Sequence, residues 1–235
     1  MEEIRSSTVL PGIREDIELY TRDSEVLVGE LSVPATGKPV TTLIMLHPLP
    51  THGGFMDSHL IRKAANRLPA LIGAAVLRFN TRGTSSPRGT SSGQFSDGVG
   101  ESEDVAAAVK FCLERDLPAP WLIGWSFGTE LAIKYGPDLN IMGAILLSPP
   151  LHRATDSDLL RWNEFGRPLI ALVPGLDEYL DPAAAAARFA IVEHAEVLGF
   201  DQEKHLWVGE KATKRVLDKI AEVTVPGSSP LPLSV

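Results

Sequence analysis

Cysteine is nearly absent: Cys112 stands alone, so no internal disulfide can staple the fold. No uninterrupted apolar run approaches the roughly 20 residues that a membrane-spanning helix needs, and no membrane partner is expected. Basic residues are outnumbered, 22 Lys and Arg against 30 Asp and Glu, for a formal charge of -8. They are also scattered rather than drawn into a stripe, which argues against nucleic acid as a partner. The opening stretch MEEIRSSTVLPGIRED has neither a basic start leading into an apolar run nor a cleavage-like site. Together with the lone cysteine this predicts a cytoplasmic location.

What is plentiful is apolar surface to bury. Apolar residues make up 44% of the 235, enough for a single domain to build a core without disulfide or metal. Residues 1–223 are expected to form that domain, and 224–235, TVPGSSPLPLSV, a loose tail rich in Pro and Ser.

Residues 15–34 alternate in two short segments split by Arg22-Asp23-Ser24, which predicts an antiparallel hairpin at a sheet edge. Five later segments are short, apolar and β-rich: 41–48, 74–80, 121–125, 143–150 and 168–175, with a weaker sixth at 195–200. Between them, apolar spacing near 3.6 residues predicts helices at about 57–72, 101–115, 127–135, 156–164, 182–193 and 209–223. Continuous apolar strands alternating with helices imply a doubly wound, mostly parallel α/β sheet covered on both faces.

One stretch raises a chemical question. WLIGWSFGTELAIKYG, residues 121–136, sets Ser126 between Gly124 and Gly128 where a buried-type strand passes into a helical pattern. Gly-x-Ser-x-Gly alone is a weak signal, since glycine and serine collect in loops. In a strand-turn-helix context the glycines relieve crowding, and the serine projects above the C-terminal edge of the sheet, where open α/β sheets bind ligands. The Phe127 N–H, at the helix start, would face a developing oxyanion. A serine hydroxyl needs a base, and the base an orienting acid, in the chain order Ser, acid, His. His152 comes too early and His194 falls in or just after a helix, whereas His205 lies in a loop between the last strand and the last helix. In LVPGLDEYLDP, residues 172–182, Asp177 leads as the acid, with Glu178 and Asp181 as rivals.

The chain resembles the α/β-hydrolase superfamily, and more closely its small lidless bacterial serine hydrolases. The resemblance is carried by HPLPTHGGFMD (47–57), LRFNTRG (77–83), SDGVGESEDVAAAV (96–109), GWSFG (124–128), PGLDEYLDP (174–182) and KHLWVGE (204–210), in the family's order across roughly 165 residues. It implies the α/β-hydrolase fold and ester hydrolysis, with Ser126, Asp177 and His205 as the triad. It further implies a second oxyanion donor in the loop after His47-Pro48, the Leu49 N–H, because Pro48 and Pro50 have none to offer. The chain departs from the family's Gly-Asp-x-Asp pattern by one residue: alignment from the Asp-Pro end selects Asp177, and counting from Gly175 selects Glu178.

Other candidates have plainer readings. His52 and His59, with Asp57 between, fit no compact ligand set, so no metal is expected. TRGTSSPRGTSSGQFSDG (81–98) lacks the Gly-x-x-x-x-Gly-Lys-Ser/Thr of a phosphate cradle and is expected to be an ordered loop tied down by Arg82 and Asp97. Trp125 and Trp207 flank the catalytic candidates; packing is their first role and lining a substrate pocket their second. The stretch from Pro150 to Pro168 is too short for a lid domain, which predicts small or exposed substrates. The expectation is a serine hydrolase acting on a small-molecule ester, without cofactor. A thioesterase, peptidase or acyltransferase would share the triad, and a non-catalytic binding or scaffold protein would share the fold.

Overall fold

The central strands bury both faces, and their sequences show how. In Thr41–Leu46, Leu43 and Met45 point to one side while Ile44 and Leu46 point to the other, and all four are essentially inaccessible. Such a strand is stable only between two helical layers. The computed structural model describes residues 3–235 and shows that sandwich.

Its strands are β1 (Ile13–Tyr20), β2 (Val26–Val33), β3 (Thr41–Leu46), β4 (Ala74–Phe79), β5 (Ser85–Ser86), β6 (Gly89–Thr90), β7 (Pro120–Trp125), β8 (Gly143–Leu147), β9 (Leu169–Pro174) and β10 (Ala195–Phe200). The helices are α1 (His59–Ile72), α2 (Glu101–Glu114), α3 (Phe127–Tyr135), α4 (Asp156–Phe165), α5 (Pro182–Phe189) and α6 (Glu210–Thr224). Eight strands form one sheet in the order β1-β2-β4-β3-β7-β8-β9-β10, while β5 and β6 make a separate small hairpin. From β4 onward every neighbour is parallel; β1 and β2 form the expected hairpin, joined antiparallel to β4 through β2. Helices α1 and α6 cover one face, and α2 to α5 the other. This is a doubly wound, mostly parallel sheet with an N-terminal antiparallel hairpin and no lid domain: between β8 and β9 there is room only for α4.

Local chemistry sets the helix ends. A capping box, Thr155 with Asp158, starts α4. Asp181 accepts the Ala184 N–H and, with Pro182 behind it, starts α5. That helix stops at Phe189, short of the expected 193, and the chain then turns through residues 190–194 into β10.

One expectation changes. The segment 224–235 is held down rather than loose: Leu231 is buried against α6, its N–H donates to Asp218 Oδ1 at 2.9 Å, and the Ile4 N–H donates to the Leu233 carbonyl at 2.9 Å. Prolines around Leu231 hide an apolar anchor from any periodic pattern. Arg82 and Asp97 both tie the 81–98 loop down, through separate partners. Arg82 forks onto Asp104 through Nε at 2.9 Å and Nη2 at 2.8 Å and reaches Asp23 through Nη1 at 2.8 Å, whereas Asp97 pairs with Arg153. The Arg82 guanidinium holds the Asp23 carboxyl down at about 2; burial pushes Asp104 up to about 6 against the same guanidinium. Among the described residues, no helix is long and apolar enough to cross a membrane.

Candidate active site

Four parallel strands deliver the candidate residues to one edge of the sheet. The chain leaves β3 into Leu49, β7 into Ser126, β9 into Asp177 and β10 into the loop of His205. Because these strands run the same way, their following loops share the C-terminal edge.

Ser126 sits in a strained turn, φ 52° and ψ -114°, immediately before α3. The glycines make that turn possible: a Cβ on Gly124 would lie 2.5 Å from the Gly128 carbonyl oxygen, and one on Gly128 would lie 2.2 Å from the Leu46 carbonyl oxygen. Strand, turn and helix therefore approach more closely than any side chain allows. The turn is anchored by the Ser126 N–H to the Leu147 carbonyl at 2.9 Å.

The hydroxyl Oγ of Ser126 lies 2.9 Å from His205 Nε2. On the far side of the ring, Nδ1 lies 2.9 Å and 3.1 Å from the two oxygens of Asp177. A carboxylate only accepts, so Nδ1 carries the proton, which leaves Nε2 as the acceptor of the Ser126 hydroxyl. The Asp177 side chain is almost wholly buried and also receives the Tyr179 N–H at 2.9 Å, while the Tyr179 ring meets His205 edge-on at 4.7 Å. The structure thus brings Ser126, Asp177 and His205 together. Glu178 stays exposed, and Asp181 is spent on capping α5.

The loop after β3 is organised by His47, a role that no sequence signal revealed. The Thr81 N–H donates to His47 Nε2 at 3.1 Å, so the ring proton is on Nδ1 and donates to the Pro48 carbonyl at 2.7 Å. Complete burial of the imidazole pushes its pKa down to about 4. Next along, Gly54 passes so close that a Cβ would sit 2.0 Å from the Pro48 oxygen, and its N–H donates to the Leu49 carbonyl. The N–H groups of Leu49 and Phe127 donate to no other group of the described protein, and both residues line the cleft containing Ser126. That cleft is about 320 Å³, walled also by His52, His152, Arg153 and Tyr179. A cavity of about 390 Å³ between residues 3–6, α1 and α6 contains none of these groups.

Trp125 and Trp207 keep packing, the first role expected of them, and lose the second, lining a substrate pocket. Both are buried in the core beneath α1 and α6, and neither lines the cleft. Side chains alternate along a strand, so Trp125 points away from the side on which Ser126 emerges. The two indoles hold the His205 loop instead. Trp125 Nε1–H donates to the His205 carbonyl at 3.2 Å, Ser148 Oγ–H donates to the same carbonyl at 3.0 Å, and Trp207 Nε1–H donates to Ser148 Oγ at 2.8 Å. From α1, His59 Nε2–H donates to the Leu206 carbonyl at 2.8 Å.

Glu130 does the same for another wall. Fully buried in α3, its carboxylate accepts the N–H groups of His152, Arg153 and Ala154 at 2.6, 3.0 and 2.5 Å. Positive φ recurs around this rim: 51° at Asp97, 52° at Ser148, 51° at Leu151 and 49° at Trp207, besides Ser126. Non-glycine residues held there store strain that their surroundings must impose.

No protein-family model matches the chain. Over 140 residues it is 31% identical to an uncharacterized protein of Rickettsia prowazekii (strain Madrid E), covering 57% of this chain and 56% of that protein. The match thus spans about half the length of that curated relative. Solved structures are similar over nearly the whole chain. A lidless α/β serine hydrolase of Xanthomonas campestris is 24% identical, covers 92% of this chain and 95% of its own, and has a TM-score of 0.74. An α/β serine hydrolase homologue from Coxiella burnetii gives 21%, 89%, 96% and 0.73; a Pyrococcus furiosus esterase gives 20%, 91%, 93% and 0.72. The sequence resemblance therefore stands at the level of fold.

Proposed function

We propose, starting from a fold shared with lidless α/β hydrolases, that this protein is a serine hydrolase that cleaves carboxylic esters through an acyl-enzyme. One observation carries the reading: the unbroken hydrogen-bonded line from Ser126 Oγ through the His205 ring to the Asp177 carboxylate. In this mechanism Ser126 Oγ attacks the acyl carbon while its proton passes to His205 Nε2. Asp177 stabilises the imidazolium that forms. The tetrahedral oxyanion takes the two uncommitted N–H groups of Leu49 and Phe127, which are held in place before charge develops. His205 returns the proton to the departing alkoxide, leaving an acyl-Ser126. Water then loses a proton to His205, attacks the acyl carbon, and releases the acid with Ser126 restored. The alcohol, the acid and every proton are accounted for by the ester, one water and these residues.

The cleft volume and the absence of a lid support small or exposed substrates. The test is intact mass after exposure to a fluorophosphonate, with Ser126→Ala as control. A single adduct on the wild type and none on the variant is expected. No adduct on folded wild type, or ester turnover retained by Ser126→Ala, would refute the assignment.

A further inference from the structure

Among the described residues that line the cleft, Arg153 is the one permanent cation, in a protein whose formal charge is -8. The cleft also holds His52 and His152 beside His205, and no carboxylate is among the described residues that line it. The acids beside it are committed elsewhere: Asp177 is closed off behind the His205 ring, Asp97 is paired with Arg153, and buried Glu130 holds three backbone N–H groups. Arg153 is also built into place. Its backbone N–H is one of the three gripped by buried Glu130, and its guanidinium lies over the Phe127 ring, 5.3 Å from the centroid. Asp97 takes Nε at 2.8 Å and Nη2 at 2.6 Å on a single oxygen, Oδ1. Nη1 donates to nothing in the described protein, and the side chain remains 24% exposed. A guanidinium oriented by one carboxylate, with a free N–H edge in a cleft, is prepared to bind a second.

We infer that the ester taken by this protein carries a second, carboxylate-like anionic group, and that Arg153 is the residue that selects it; this deepens the hydrolase reading and rests on it. Phe127 connects the two functions. Its N–H is offered to the oxyanion, and its ring supports the guanidinium, so the anionic group docks a short distance from the acyl carbon.

The experiment compares kcat/KM for matched esters. On the acyl side these are mono-p-nitrophenyl glutarate and p-nitrophenyl valerate; on the alcohol side, 4-butyryloxybenzoate and its methyl ester. Wild type should prefer the charged member of at least one pair by about tenfold, the scale of one partly exposed charge-assisted hydrogen bond. Added salt should shrink that preference. Arg153→Gln should abolish it, mainly through KM, and Arg153→Lys, which keeps the charge but loses the fork, should restore part. No preference in either pair, or a preference that survives Arg153→Gln, overturns the inference even where the fluorophosphonate adduct forms on Ser126. Absence of both adduct and turnover overturns the hydrolase reading and the inference with it.

Discussion

His47 makes stability depend on pH in a direction and range fixed by its surroundings. Its folded pKa is about 4, against 6.5 for an ordinary histidine, because burial denies the charged ring its solvent; Nε2 meanwhile accepts the Thr81 N–H. As pH falls from about 6.5 towards 4, the unfolded chain takes up a proton at this position that the folded chain refuses. The contribution of neutral His47 is therefore complete above pH 6.5 and is lost as pH falls through this range. Between pH 7 and 5 the linkage amounts to about 2 kcal/mol. Asp104, raised by burial to about 6, works in the opposite sense over part of the same range, so wild type alone would show a mixture. The informative quantity is the difference between wild type and His47→Asn, each unfolded in urea at pH 7 and pH 5. The variant is expected to start lower at pH 7 and to lose about 2 kcal/mol less on acidification. Equal losses in the two proteins would show that His47 is not the neutral, buried acceptor described above.

Two further substitutions test the supports of the site. Ser148→Ala strips the Trp207 indole of its buried partner and the His205 carbonyl of one donor; it should cost about 1–3 kcal/mol and lower ester turnover, while Ser126 still labels. Unchanged urea midpoint and unchanged kcat would remove Ser148 from the clamp. Gly128→Ala forces a Cβ against the Leu46 carbonyl and should destabilise by roughly 2–4 kcal/mol, read as a lower urea midpoint at constant m; an unchanged midpoint would mean that β3 and α3 can move apart freely.

The parallel sheet was legible because β3, β7, β8 and β9 alternate two sets of apolar side chains, one for each helical layer. Ser126, Asp177 and His205 could be picked because each follows a strand, and strand ends in this topology converge. The acid was harder. Asp177, Glu178 and Asp181 lie within five residues, and only the fold separates a buried partner, an exposed charge and a helix cap. The supports were less visible still. Glu130 and His47 look like ordinary polar positions, since nothing local reveals that three N–H groups or a Thr81 amide will arrive from elsewhere in the chain. Packing was legible for Trp125 and Trp207; their second expected role, lining the pocket, came from adjacency in sequence, whereas the pleat turns Trp125 to the opposite side of the sheet.

The positive φ angles around the cleft bear on how such a chain evolves. Of the seven described non-glycine residues with positive φ, Ser126, Ser148, Trp207 and Asp97 belong to the cleft, its clamp or the Arg153 pair, Leu151 lies between the cleft residues Pro150 and His152, and Ser24 and Asp116 lie elsewhere. Selection for stability alone would let the rim positions drift towards glycine, or let the turns relax. A lineage that had lost its chemistry should therefore show the decay at Ser148 and Leu151 as readily as at Ser126. Where the proposed chemistry persists, backbone tension at this rim should persist with it, a sign that can be read without knowing the substrate.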